Sequence, residues 1–350
     1  MNKIPEMLLA KSRRKDRDPI SLEKHLLDTD KAAYHIFRLD KRLGQNWCRF
    51  FKISTPAQQK IFLLNLQVAA LFHDIGKANE DFMAAVQSPG FPAQTLRHEH
   101  LSALILCLPE VRDWLGHNPD LDLDIITGAV LSHHLKASRD EKTTNNGKSY
   151  KWGQPQTLKA SLAVYLKHSE VKNILDKIAK IANLESPIPK LDFENWSADD
   201  PVWKKAIRNG RDWSEDLADD IEDDEERRLL LAAVKAGLIA ADGVASGLVR
   251  EDLKITDWID AVVHGDAIAD SEIANKIIYP RLGQIKAKQE QKPFELEKFF
   301  AEHSQAQLEQ LRAKMLHEFQ VKLGFQSYRT LLLAGCGVGK TLAAWVWAEA

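Results

Sequence analysis

The sequence predicts an all-α bundle over residues 1–265 and a helical linker over 266–325. From 326 to 350 it predicts the opening strand–loop–helix element of a second, α/β domain. Three observations carry this reading. Apolar residues recur at three-to-four spacing through most of the chain, whereas strand-like alternation is nearly absent. Gly and Pro, the usual breakers, are sparse before Pro187. At the far end TLLLAGCGVGKT joins a short apolar run to a Gly-rich turn and an Ala-rich helix start.

In chain order, SLEKHLLDTDKAA is amphipathic and sets His25 on a face with Leu22 and, approximately, Thr29. Ile61–Phe72 reads as a buried helix ending at the letters FHDIGKA. RHEHLSA puts His98 and Ser102 one turn apart, and the apolar Ile125–Leu131 precedes His133 and His134. Two loops interrupt the bundle: SRDEKTTNNGKSYKWGQ near 138–154, with an Asn-Gly turn, and the Pro- and Trp-rich ESPIPKLDFENWSADDPVW at 185–203. The run Glu215–Glu226 has nine carboxylates in twelve positions and reads as a solvated helix face or loop, not as a DNA mimic or metal lure. Arg227–Ala241 is a second buried helix, closed by Asp242. Residues 266–319 are helical and charged, with breaks at Pro280 and Pro293.

Bulk properties narrow the function. A formal charge of -2 excludes a constitutive nucleic-acid binder working through global charge, so any such contact needs a local basic face. Cys48, Cys107 and Cys336 stand far apart, which argues against a disulfide framework and a thiolate zinc site. The longest apolar runs are interrupted by Asn65, Gln67 and Lys235, short of the roughly 18 residues that span a bilayer. MNKIPEMLLAKSRRKDRD lacks the apolar core of a secretory signal. The expectation is a soluble cytoplasmic protein without a membrane partner.

The chemistry lies in histidines and aspartates at the edges of apolar helices. His73 and Asp74 stand where a buried helix delivers side chains inward; imidazole is a borderline metal ligand and a carboxylate can bridge two cations. His25, His98, His133, His134 and Asp242 occupy comparable edges. Asp242, closing a hydrophobic helix, carries a large desolvation cost unless a cation meets it. Each residue alone has an ordinary core or surface reading; the ensemble points to metal. His35, His100, His117, His168, His264, His303 and His317 sit in more ordinary polar contexts and are left out.

AKS at 10–12, HLLDT at 25–29, HDIGKANEDF at 73–82, RHEHLSA at 97–103, SHH at 132–134 and ADGVAS at 241–246 follow one another in the order of a known family. Together they resemble the HD nuclease domain of the CRISPR type I helicase–nuclease, the Cas-three family, over about residues 8–250. The resemblance implies an HD-domain helical bundle with two divalent metals. Asp74 would bridge them, His73 and Asp242 with His25 nearby would hold one, and His98, His133 and His134 the other. It further implies Lys77 approaching the substrate phosphate and Ser246 supporting Asp242. Leu135 departs from the family, where a smaller residue is commoner, and would narrow the mouth of the site. Imidazole-rich ligation favours manganese, iron, cobalt or nickel over magnesium, and paired cations suit in-line phosphodiester hydrolysis. The implied reaction is cleavage of single-stranded DNA, with a CRISPR surveillance complex (Cascade) as partner. Two rival readings are an HD-type phosphohydrolase of dNTPs or cyclic nucleotides and a non-catalytic helical docking module.

AGCGVGKT at 334–341 resembles a Walker A loop of superfamily-two helicases, with Ala334 in the first position and Cys336 a small departure. In it Gly335, Gly337 and Gly339 would free backbone N–H groups to curl round a phosphate, Lys340 would reach the β/γ oxygens and Thr341 would ligate magnesium with ATP. Gln326 upstream is a weak candidate for reading adenine. The remaining parts of a RecA-like motor would lie beyond Ala350, so ATPase activity is not expected of these residues alone.

Overall fold

The computed structural model describes residues 4–12, 18–88, 94–134, 157, 159–250, 254, 256, 273–323 and 340–349. Two compact units divide the chain, Met1–Val263 and His264–Ala350. In the first, β1 (Leu9–Lys11) pairs antiparallel with β2 (Ile20–Ser21). The hairpin runs straight into α1 (Leu22–Phe37), because the Ser21 hydroxyl accepts the Lys24 N–H at 3.2 Å and caps the helix. After α2 (Arg42–Phe50) comes α3 (Pro56–Phe72), opened by a Thr55–Gln58 capping box with Pro56 in its first turn. A 3-10 turn, Ile75–Lys77, leads to α4 (Glu80–Gln87). Then follow α5 (His98–Leu106), α6 (Pro109–Gly116) and α7 (Leu123–Leu131). The unit closes with β3 (Ser161–Ala163), α8 (Ser169–Ile181), β4 (Asn195–Ser197), α9 (Pro201–Asp223) and α10 (Glu225–Arg250).

The core forms where α1, α3, α7 and α10 pack together. On α10 the buried Val234, Leu238, Ala241 and Ala245 form the stripe expected of a core helix. Gly237 lets α10 approach α3 closely: a Cβ there would lie 3.1 Å from Leu66 Cδ2. Fully buried Phe37, Phe62, Phe72, Trp196 and Trp203 anchor the unit, each stabilising it by about 1.5–3 kcal/mol.

The structure departs from the sequence reading in three places. Asp242 does not close its helix: α10 continues to Arg250, because the buried stripe extends through Ala245. By length and composition Glu225–Gly247 could cross a membrane, with mean hydropathy 1.7 despite Lys235; here it is a core helix. The bundle also carries two small ladders, β1–β2 and β3–β4, and β4 sits within the expected loop 185–203, where Trp196 needs a buried seat. The acidic run Glu215–Glu226 is a solvated helix face as expected: it ends α9 and opens α10 with its nine carboxylates exposed, Leu217 alone turned inward, and Arg227 tied to Asp122 at 3.0 Å and Asp124 at 3.1 Å.

In the second unit a π-turn, Ala274–Ile278, precedes α11 (Tyr279–Gln289), α12 (Leu296–Glu302), α13 (Gln305–Met315), α14 (Glu318–Leu323) and α15 (Lys340–Glu349). Pro280 falls in the first turn of α11, where the π-turn gives way to α-helix, so the helix adjusts there instead of breaking. The expected strand, Gln326 and Gly335, Gly337 and Gly339 lie outside the described residues, as do Leu135 and the loop 138–154. For Lys340 and Thr341 only the helical backbone of α15 is described.

Candidate metal centre

The seven expected ligands, spread over more than two hundred residues, meet in the first unit. α3 ends at Phe72, and His73 caps it, so the chain turns with both His73 and Asp74 inside the core. α1 brings His25, whose Nε2 lies 2.9 Å from Asp74 Oδ2 and 3.4 Å from Asp242 Oδ1. His73 Nε2 is 3.2 Å from Asp74 Oδ2 and 4.0 Å from Asp242 Oδ1. On the other side of the same carboxylate, Asp74 Oδ1 faces His98 Nε2 at 3.2 Å and His133 Nε2 at 3.7 Å. His98 and His134 bring their Nε2 atoms within 2.9 Å of each other. The donors thus form two groups, His25–His73–Asp242 and Asp74–His98–His133–His134, in each of which the ligand atoms lie within 4.8 Å of one another.

One local device repeats at two helix ends. His73 Nδ1 lies 2.8 Å from the Ala70 carbonyl and His133 Nδ1 lies 2.6 Å from the Val130 carbonyl. A carbonyl only accepts, so each Nδ1 carries the proton and each Nε2 presents a lone pair. Those two Nε2 atoms and Asp74 Oδ1 are buried without a hydrogen-bond partner. Each orphaned acceptor costs about 1–3 kcal/mol unless something electropositive meets it, and a divalent cation does. The donor set fits metal.

Electrostatics agree at His25, His98 and His134. Burial pushes His25 and His134 down to about 4 and lowers His98, so these imidazoles are neutral at pH 7, the form a metal requires. His73 is raised: burial works against its charge, but Asp74 and Asp242 outweigh it. Burial also opposes ionisation of Asp74, yet Lys77 and His73 hold its carboxyl well below the usual range. Asp242 is lowered likewise, by His73 against burial.

Lys77, nearly buried, pairs with Asp74 Oδ2 and stands 5.1 Å from the centroid of the Phe82 ring. Ser246 donates to Asp242 Oδ1 at 2.9 Å and receives a hydrogen bond from Lys11 Nζ.

Three contributors escaped the sequence reading. Gly76 admits α5 against the 3-10 turn: a Cβ there would lie 2.2 Å from the His98 carbonyl oxygen, and its N–H donates to Ser102 Oγ at 2.8 Å. Glu99, 1% exposed, is paired with Arg97 and sets Oε2 3.4 Å from His98 Nδ1. Burial opposes its charge, but His98 and Arg97 bring it down to about 2. Its signal was a carboxylate adjoining a ligand-type histidine between two other charged or polar residues, too common a pattern to single out. Lys11 was visible only as part of AKS. His100, set aside as ordinary, is pushed down to about 4 by burial but joins neither group.

Comparison with known proteins gives three findings. The family profile described as Cas3, HD domain, matches residues 9–247. A CRISPR-associated nuclease/helicase Cas3 of Myxococcus xanthus is 29% identical over 304 residues, 84% of this chain and 33% of that protein. The chain therefore spans about a third of the length of that curated relative. Among solved structures, the CRISPR-associated Cas3 HD domain protein of Methanocaldococcus jannaschii aligns over 67% of this chain and all of that one, at 17% identity and a TM-score of 0.35.

Proposed function

This chain belongs to the Cas3 HD domain family, and on that premise we propose that it is a divalent-metal-dependent nuclease that hydrolyses phosphodiesters of single-stranded DNA. The observation that carries the proposal is the pair of ligand groups sharing Asp74, with buried lone pairs left unmatched in both. His25, His73 and Asp242 would hold one cation, His98, His133 and His134 the other, and Asp74 would offer one carboxylate oxygen to each side. When bound, such cations supply Lewis acidity for in-line phosphoryl displacement. Five imidazoles against two carboxylates favour manganese, iron, cobalt or nickel over magnesium.

The protein's own groups do the rest. Asp74 sets the spacing of the two groups. Lys77, paired with Asp74 at the edge of the site, would offer its ammonium to a substrate phosphate. Ser246 keeps Asp242 oriented.

By the same resemblance we assign 1–265 to the nuclease domain, 266–325 to a linker and 326–350 to the opening of an ATP-dependent superfamily-two helicase. Gly335, Gly337, Gly339, Lys340 and Thr341 would cradle ATP and magnesium there. The motor would feed a single strand to the HD site in the cytoplasm, recruited by a CRISPR surveillance complex.

The test incubates purified protein with manganese and either single-stranded DNA or dNTPs. Degraded oligonucleotide beside intact dNTPs is the expected result. Hydrolysed dNTPs beside intact oligonucleotide would reassign the site to nucleotide phosphohydrolysis, and inertness toward both, with no metal retained, would leave a docking module.

A further inference from the structure

We infer that Lys11 is a positioning residue for the metal centre, acting through Ser246 to fix the carboxylate of Asp242; the inference rests on the metal reading above. Lys11 lies on β1, whose neighbours tie the strand down. Leu9 and Ala10 are buried, and the Leu8 N–H donates to Glu170 Oε1 at 2.9 Å. The Lys11 ammonium donates to Ser246 Oγ. It has no lone pair, so the direction of that bond is fixed. The one hydroxyl proton of Ser246 is then left for Asp242 Oδ1, at 2.9 Å. A chain of donors runs ammonium to hydroxyl to carboxylate, and the cation at its head strengthens the second bond.

Three hydroxyls at other helices show the usual alternative. Thr29 donates to the His25 carbonyl at 2.9 Å and Thr127 to the Leu123 carbonyl at 2.6 Å, each four residues back along its own helix. Ser132, at the C-cap of α7, donates to the Gly128 carbonyl at 2.6 Å. This back-bonding is the ordinary resting place of a helical hydroxyl. Ser246 also stands in a helix, yet its proton goes to the side chain four residues back. Two neighbours distinguish it, the carboxylate four residues back and the Lys11 ammonium that fixes which way the hydroxyl points. Freed of it, the hydroxyl has the backbone carbonyl of Asp242 as a competing acceptor, and the carboxylate facing His25 and His73 loses its guide. The hairpin that presents Lys11 also leads directly into α1 and His25, so one local element aligns ligands from residues 25 and 242.

The ammonium also repels a bound cation through space, and that contribution is the same with or without the hydroxyl. A thermodynamic cycle removes it. Manganese binding is measured by calorimetry on the 350-residue chain as wild type, Lys11→Met, Ser246→Ala, the double variant, Lys11→Arg and Asp74→Ala. Each is also melted in the presence of a chelator.

The expected result is non-additivity: Lys11→Met weakens manganese binding about tenfold more when Ser246 is present than when it is absent, the size of a coupled charged hydrogen bond. Lys11→Arg, keeping a cationic donor, restores wild-type affinity, and the metal-free melting temperatures stay together. Additive effects in a chain that binds manganese overturn the role of Lys11 and leave the metal centre standing. A metal-free melting temperature that falls in step with affinity makes Lys11 a structural tether and equally overturns it. Wild type that binds no manganese, or Asp74→Ala that binds it as well as wild type does, overturns the metal reading itself.

Discussion

The two ligand groups face each other across Asp74, yet they are held in different ways. His25 and Asp242 ride on α1 and α10 and His73 caps α3, three of the four helices whose packed faces form the core of the unit. His98, His133 and His134 stand at the ends of short helices, the N-terminus of α5 and the exit of α7. His133 and His134 leave α7, itself packed in the core, but the placement of His98 depends on one close approach, Gly76 against the first turn of α5, and on Glu99 behind it. The first group shares its support with the fold as a whole, whereas the second, through His98, rests in part on local contacts. Substitutions near the second can therefore change metal binding while the bundle survives.

The comparison can be broken at its hinge. Asp74→Ala removes the carboxylate that both groups share and should lower DNA cleavage by on the order of a thousandfold or more. Manganese retention should fall at both groups, as read by metal analysis after desalting. Cleavage persisting at the wild-type rate would contradict the assignment.

Next in size is Gly76→Ala. Its methyl meets backbone, not a flexible side chain, since the His98 carbonyl oxygen would be 2.2 Å away. Such overpacking costs about 1–3 kcal/mol. The expected signature is a lower melting temperature together with loss of one manganese equivalent while the other remains. Loss of both equivalents in step would mean that the groups are not separately supported.

Glu99→Gln sharpens the contrast without breaking it. Removing the charge behind His98 should weaken manganese binding about 10–100-fold at the second group alone. Calorimetric titration would resolve that as one site weakened and one untouched. The smallest expected effect is none: Lys340→Ala, in the other compact unit, should leave manganese-dependent cleavage by this chain unchanged.

Much of the site was legible because ligand-type residues sit at boundaries that sequence marks well. An apolar helix ending in His-Asp, and another ending in His-His, announce side chains delivered inward, and α3 and α7 end there. Asp242 was harder. Its helix continues through Gly243 to Arg250, since in the middle of a long core helix the buried stripe outweighs one unfavourable residue. Lys11, Gly76 and Glu99 were not legible as contributors, because each matters through a partner distant in sequence or through space that only packing defines. β4 was hidden for the same reason: its Trp196 needed a pocket that no local pattern announces.

By itself the sequence determined the helical class, the inward-facing histidines and aspartates, and their chemical kind, because periodicity and residue type are properties of short stretches of chain. Only the tertiary structure decided that Asp74 turns one oxygen toward each group, that two Nε2 lone pairs meet no partner, and that Lys11 reaches Ser246. Those are relations between atoms up to 235 positions apart along the chain. They are set by how helices pack, and packing is the balance of the whole core.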